Sequence, residues 1–256
     1  MADGSALSRS FLAFLTFCLV LVLATGGVVW YVGPTLAGIV VDESRREQPY
    51  LLLQLLPAAA VAQTPENPSY RARFAALAAE DGAELVWQAG AVEVIEGSVL
   101  LDVAGAQVLR FPTGADLVQM FTGSAYRGLR DGFGALPLRH LGSAGSAPEL
   151  TPGAASLLVL FRVDESPPPD PLGVPGESGW LRLLPDHRGR VAWIATVDPI
   201  RGEDAWNRLL LLQFPNALTA QQWFEDPATE TERAIAARYL DDVTVLLVEP
   251  SPVVSR

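Results

Sequence analysis

The chain has no lysine. All 18 of its basic residues are arginine, set against 29 acidic residues, for a formal net charge of -11. An acidic chain without a basic run is a poor partner for a phosphate backbone, which excludes nucleic-acid binding. It is also repelled by anionic headgroups, and its surface charge serves solubility. Cysteine is almost as scarce: Cys18 is the only one. That rules out an intrachain disulfide and a cysteine-based zinc site. Leu15-Thr16-Phe17 ahead of Cys18 are too bulky for a lipidation signal. The two histidines, His140 and His187, show no His-x-His or Glu-x-x-His spacing, so no metal site is expected. Gly-x-Ser-x-Gly is missing, and Gly142-Ser143-Ala144-Gly145 has neither the lysine nor the strand–helix setting of a phosphate loop. The carboxylate pairs Glu225-Asp226 and Asp241-Asp242 fall at predicted helix ends, where capping or solvation accounts for them.

What is present begins with a long apolar run. Phe11 to Gly33 carries no charge, and roughly 20 such residues span a bilayer as a helix. Trp30 and Tyr31 sit near one end, where amphipathic rings favour the interface, and Asp42 to Glu47 close the segment. A cleaved signal peptide would have a shorter apolar core with a small-residue site directly after it. Leu55 to Ala62 imitates such a site but lies too far along the chain. Residues 1–47 are therefore read as a tail and one transmembrane anchor, with the bulk of the chain outside the cytoplasmic membrane.

The rest is duplicated. Val108-Leu109-Arg110-Phe111-Pro112 returns as Leu211-Leu212-Gln213-Phe214-Pro215, and the same offset carries Met120-Phe121 onto Trp223-Phe224. A fixed offset of about one small domain marks a repeated structural unit. In the first copy, residues 48–142, Tyr50 to Leu55 reads as a buried strand. A helix is expected from an Asn67-Pro68 start, with Tyr70, Phe74, Leu77 and Ala78 on its apolar face. Glu84 to Ile95 and Val99 to Phe111 read as an antiparallel hairpin. A helix from Asp116 to Arg130 and a short strand from Pro137 to Leu141 complete a βαββαβ order, a ferredoxin-like unit. Residues 143–154, small and polar, form a linker. The second copy, residues 155–250, opens with Ser156 to Phe161. Its first helix is reduced to about Glu177 to Leu184 behind a proline-rich stretch, Pro167 to Pro171. Arg190 to Trp193 corresponds to Glu84 to Trp87. Trp206 to Phe214, helices over 218–224 and 229–239, and the strand Val243 to Val248 follow, and residues 251–256 are a tail.

Trp206 to Pro215, Ala220, Trp223-Phe224 and Asp226-Pro227 together resemble a bacterial family of unknown function in the dimeric α+β-barrel superfamily. The first copy resembles it through Gly90 to Gly97, Phe111-Pro112 and Ser124 to Tyr126, though it lacks the proline after Ser124 and has Met120 where Trp is usual. The resemblance implies an α+β fold in which two ferredoxin-like units join their sheets into one barrel, here within a single chain. Relatives include cofactor-free monooxygenases, haem enzymes and proteins without known activity, and a shared fold does not transfer function.

Trp87, Trp193 and Trp206 fall on predicted strands and are either core material or the lining of an apolar ligand pocket between sheets. Arg110 and Gln213 occupy matching places in the repeat and would supply polar contacts there. His140 completes the candidate pocket and is the better of the two histidines for an axial haem ligand, should a haem be bound; no cofactor is otherwise expected. The favoured reading is a membrane-anchored, non-catalytic module that binds a protein partner or a small apolar ligand. The alternative is a small-molecule oxidoreductase or monooxygenase using the barrel cavity. Self-assembly of anchored copies is a third reading.

Overall fold

The computed structural model describes residues 41, 45–64, 67–97, 102–163, 177–202, 206–238 and 240–250. The predicted membrane segment Phe11 to Gly33 lies outside these residues. Among the described residues no helix is long and apolar enough to cross a membrane.

In the first copy the elements are β1 (Tyr50–Leu56), α1 (Ala58–Val61), α2 (Tyr70–Glu80), β2 (Glu84–Glu96), β3 (Gly105–Phe111), α3 (Gly114–Thr122), α4 (Ser124–Phe133) and β4 (Arg139–Ala144). In the second they are β5 (Ala155–Arg162), α5 (Glu177–Leu183), a 3-10 turn (Pro185–His187), β6 (Arg190–Thr196), β7 (Asp198–Arg201), β8 (Arg208–Phe214), α6 (Ala217–Glu225), α7 (Pro227–Ala236) and β9 (Asp241–Pro250). The expected cap at Asn67 is displaced. Asn67 is engaged with Thr64 through reciprocal backbone bonds of 3.2 Å, and Ser69 caps α2 instead, its hydroxyl accepting from the Ala72 N–H. The single helix expected from Asp116 is two helices, because Gly123 adopts an extended conformation. Asp226 makes the same break in the second copy and caps α7. The folded part also starts earlier than residue 48. The carbonyls of Gln48 and Arg46 accept from Gly114 and Ala115 N–H, satisfying donors that a helix start leaves over.

Every strand pair is antiparallel. The sheet order is β6-β8-β5-β9-β2-β3-β1-β4-β7. Each copy thus contributes one ferredoxin-like sheet, β2-β3-β1-β4 and β6-β8-β5-β9. The two ends of the order, β6 and β7, are separated along the chain by Val197 alone. The two ends of the order are one continuous bent strand, so the sheet closes on itself through Val197. The seams are related by the repeat. The start of β2 pairs with β3, and the rest of β2 pairs with β9 of the other copy. β6 pairs with β8, and its continuation β7 pairs with β4 of the other copy. The expected β2–β3 hairpin is therefore real only over residues 84–88; beyond them β2 belongs to the cross-copy seam. β4 likewise runs into the predicted linker, where Ser143 and Ala144 pair with Leu51 and Tyr50 of β1; β7 lies along its other side as far as Gly142. Gly142 faces Asp198 there, and a Cβ on it would fall 2.5 Å from the Tyr50 ring and 2.7 Å from Ile200.

Alternation along the strands divides the core. Leu51, Leu53, Leu55, Val108, Leu158, Leu160, Leu209, Leu211, Leu246 and Val248 pack in one cluster shared by both copies, the barrel interior. The other face of each sheet lies under its own helices, as with Leu157, Val159, Leu210, Leu212, Val245 and Leu247 in the second copy.

Candidate functional site

The barrel interior collects the three predicted pocket tryptophans, with Arg110 and Gln213 at its end. Trp87, Trp193 and Trp206 all lie there, each less than a tenth exposed, packed with leucines of both copies. The same bulge recurs in both copies, between Leu85 and Trp87 and between Val191 and Trp193, and sets the two equivalent tryptophans on the inner face. Arg110 follows Ala106 and Val108 on that face but sits at its end. It is exposed and pairs with Glu84 across the strands at 2.5 Å. Gln213, its counterpart, is buried. Its Oε1 accepts from the Thr151 N–H at 2.9 Å and from Arg190 at 2.7 Å, and Arg190 also donates to the Glu149 carbonyl at 2.6 Å. Ala147 and Leu150 of the linker pack against the inner core. The linker is thus a cover on one end of the barrel. The interior is a packed core with polar side chains only at its ends.

His140 does not join the tryptophans. It lies on the opposite face of the sheet, beneath the helices of the first copy, fully buried. Its ring is 5.7 Å from that of Phe74 and 5.4 Å from that of Phe121. A chain of amides reaches it: Gln107 Nε2 donates to Gln54 Oε1 at 2.5 Å, and Gln54 Nε2 lies 2.9 Å from His140 Nε2. With the Gln54 amide donating, His140 Nε2 accepts, so the neutral ring carries its proton on Nδ1. Nδ1 has no partner among the described residues. Burial, and secondarily the Arg201 cation, holds the imidazole down to about 3. Arg201, the register neighbour of His140 on β7, donates to the Tyr126 hydroxyl at 3.0 Å. Closely packed aromatic rings and an occupied Nε2 do not fit an axial haem ligand. This cluster is a polar core of the first copy.

The repeat shows what the second copy does with the same place. The pairings put Val159 where Gln54 stands, Leu210 where Gln107 stands and Val245 where His140 stands. The helices α6 and α7 keep the offset of α3 and α4, so Trp223 replaces Met120 and Thr229 replaces Tyr126. Val245 is smaller than the His140 whose place it takes. A cavity of about 220 Å³ opens there, lined by Val159, Trp223, Phe224, Val243 and Val245, with Ala234, Ala237 and Leu240 beside them. Its charged lining consists of Glu96, Glu230 and Arg233. Arg233 is committed: it pairs with Glu96 across the seam, donates to the Phe224 carbonyl at 3.1 Å and lies 3.7 Å over the Phe224 ring. Trp223 is only 1 % exposed, and its indole Nε1 has no partner among the described residues. The sequence pattern did not point to these residues. Trp223-Phe224 stood out only as a repeat mark.

The remaining histidine, His187, lies 3.4 Å from Asp226, the α7 cap. Among the described residues no group of His, Cys, Asp and Glu is placed to hold a metal ion.

No family model and no curated protein matches the sequence. Solved structures do. A protein of unknown function from Rhodopseudomonas palustris is 20 % identical, covering 43 % of this chain and 98 % of its own, with a TM-score of 0.32. An anthrone oxidase-like protein is 13 % identical over 81 % of this chain and 93 % of its own, with a TM-score of 0.44. A chlorite dismutase variant from Candidatus Nitrospira defluvii is 11 % identical over 80 % and 92 %, with a TM-score of 0.43. Likenesses this distant say nothing of activity, and the fold assignment rests on the strand pairing.

Proposed function

We propose that the chain is a membrane-anchored, non-catalytic binding module whose small-molecule site is the cavity under α7. One observation carries the reading. Three tryptophans and the leucines of both copies fill the barrel interior, while the second copy keeps an open, mostly apolar space where the first has the rings of Phe74, Phe121, Tyr126 and His140 in contact. An enzyme built on the barrel cavity would need an enclosed interior with converging polar groups. Such an interior is where Trp87, Trp193 and Trp206 stand.

Filling the cavity tests this. Tetralin, an uncharged fused bicycle, is titrated against the full chain in detergent micelles by ligand-observed NMR. Val245→Phe, which fills the cavity from the strand side, is expected to weaken binding at least tenfold. Ala234→Trp, on the exposed rim, is expected to do the same without touching the core. Equal binding by all three proteins would remove the cavity as the site.

The anchor rests on the uncharged run Phe11 to Gly33 and its length. We expect the full chain to stay with the membrane through an alkaline carbonate wash. Release into the wash would refute the anchor and leave the cavity reading untouched.

A further inference from the structure

Given the cavity under α7 as the binding site, a premise taken from the proposed function, the charges around it select among ligands. We infer that it takes a small, mostly apolar organic cation, an amine of one or two rings, and that Glu230 is the residue that favours its positive charge.

Three observations lead there. The first is size. About 220 Å³ is below the ~300–1,000 Å³ of sites for drug-sized ligands, so one or two fused rings fill it. The second is the wall. Valine, leucine and alanine side chains make most of it, so the body of the ligand is apolar. The third is charge. The charged lining sets two carboxylates, Glu96 and Glu230, against one guanidinium, Arg233. Arg233 is bound to Glu96, to the Phe224 carbonyl and to the Phe224 ring, so its charge is met within the wall. Glu230 has no such counterion. It is exposed on the first turn of α7 and makes no side-chain hydrogen bond or ion pair among the described residues. Its charge acts over several ångströms whichever way the exposed side chain turns, so a ligand cation gains here and an anion loses. The repeat sharpens the contrast. Glu230 takes the place of Arg127, and Glu96, opposite Val245, takes the place of Arg201, opposite His140. Both positions are basic in the first copy and acidic in the second.

Three probes of one shape separate the possibilities: tetralin, the 1-aminotetralin cation and the anion of 1,2,3,4-tetrahydro-1-naphthoic acid. Each is titrated near neutral pH by ligand-observed NMR against the full chain in nonionic micelles, with empty micelles as the blank. Of the two ions, the cation is expected to bind the wild type about tenfold more tightly. Glu230→Gln is expected to weaken the cation about threefold, strengthen the anion about threefold and leave tetralin unchanged. Glu80→Gln removes the same charge from an exposed site on α2 of the first copy and should alter none of the three. If the anion binds the wild type more tightly than the cation, or Glu230→Gln weakens the cation no more than it weakens tetralin or than Glu80→Gln does, the inference is overturned while the binding site stands. If none of the three binds the wild type, the binding reading itself falls.

Discussion

Replacing Gln54 by valine alone is expected to lower the unfolding free energy by about 3 kcal/mol, and replacing Gln54, Gln107 and His140 together by valine, leucine and valine to recover most of that loss. Gln54 joins two buried groups: it accepts from Gln107 and faces His140 Nε2. Its loss strands both, and a buried polar group without a partner costs about 1–3 kcal/mol. The triple exchange removes all three polar groups and installs the side chains that the second copy already carries at Val159, Leu210 and Val245. Apolar replacement of a whole buried polar set is often close to neutral. Denaturant titrations of the single and triple variants read the difference directly, and a triple variant no better than Gln54→Val would contradict the equivalence of the two copies.

The wild type and the triple variant also separate in acid. Burial holds His140 down to about 3, whereas an exposed histidine titrates near 6.5. Between those values the unfolded chain binds a proton that the folded chain does not, so stability falls as the pH drops. From pH 6.5 to pH 5 this amounts to about 2 kcal/mol for the wild type. The triple variant lacks the group and should lose correspondingly less, the carboxylates being common to both.

Trp206→Ala is expected to cost about 3–5 kcal/mol, as for other large-to-small exchanges in a packed core. Trp206 is 2 % exposed, lies among side chains of both copies, and donates its indole N–H to the Asp242 carbonyl at 2.7 Å. Trp206→Phe keeps most of the packing and loses that bond, so about 1 kcal/mol is expected. The alanine variant should weaken strands of the first copy as much as those of the second. Destabilisation confined to the second copy would mean that the inner cluster is not shared.

The repeat made much of this architecture legible in advance. Phe111-Pro112 and Phe214-Pro215 end equivalent strands, Trp87 and Trp193 stand at equivalent bulges, and the shortened α5 falls where the prolines predicted it. What stayed hidden depends on contacts between the copies. A strand as short as β7 has no pattern of its own, yet it joins β4 to the strand that continues from β6. The face of His140 was equally hidden, because a strand that is buried on both sides shows no alternation of polar and apolar residues. Glu96 and Arg233, far apart in sequence, meet only because β2 crosses to β9. The cavity has no motif at all; it opens where Val245 takes the place of the larger His140.

That both copies make one closed barrel is tested most directly by hydrogen exchange of the full chain, followed by mass spectrometry at increasing denaturant. The cross-copy seams predict that peptides covering β1 and β4 lose protection at the same denaturant concentration as peptides covering β5 and β9, in one cooperative step. Loss of the first copy's strands at a clearly different concentration from the second's would show two separable sheets, and would contradict the closure through Val197.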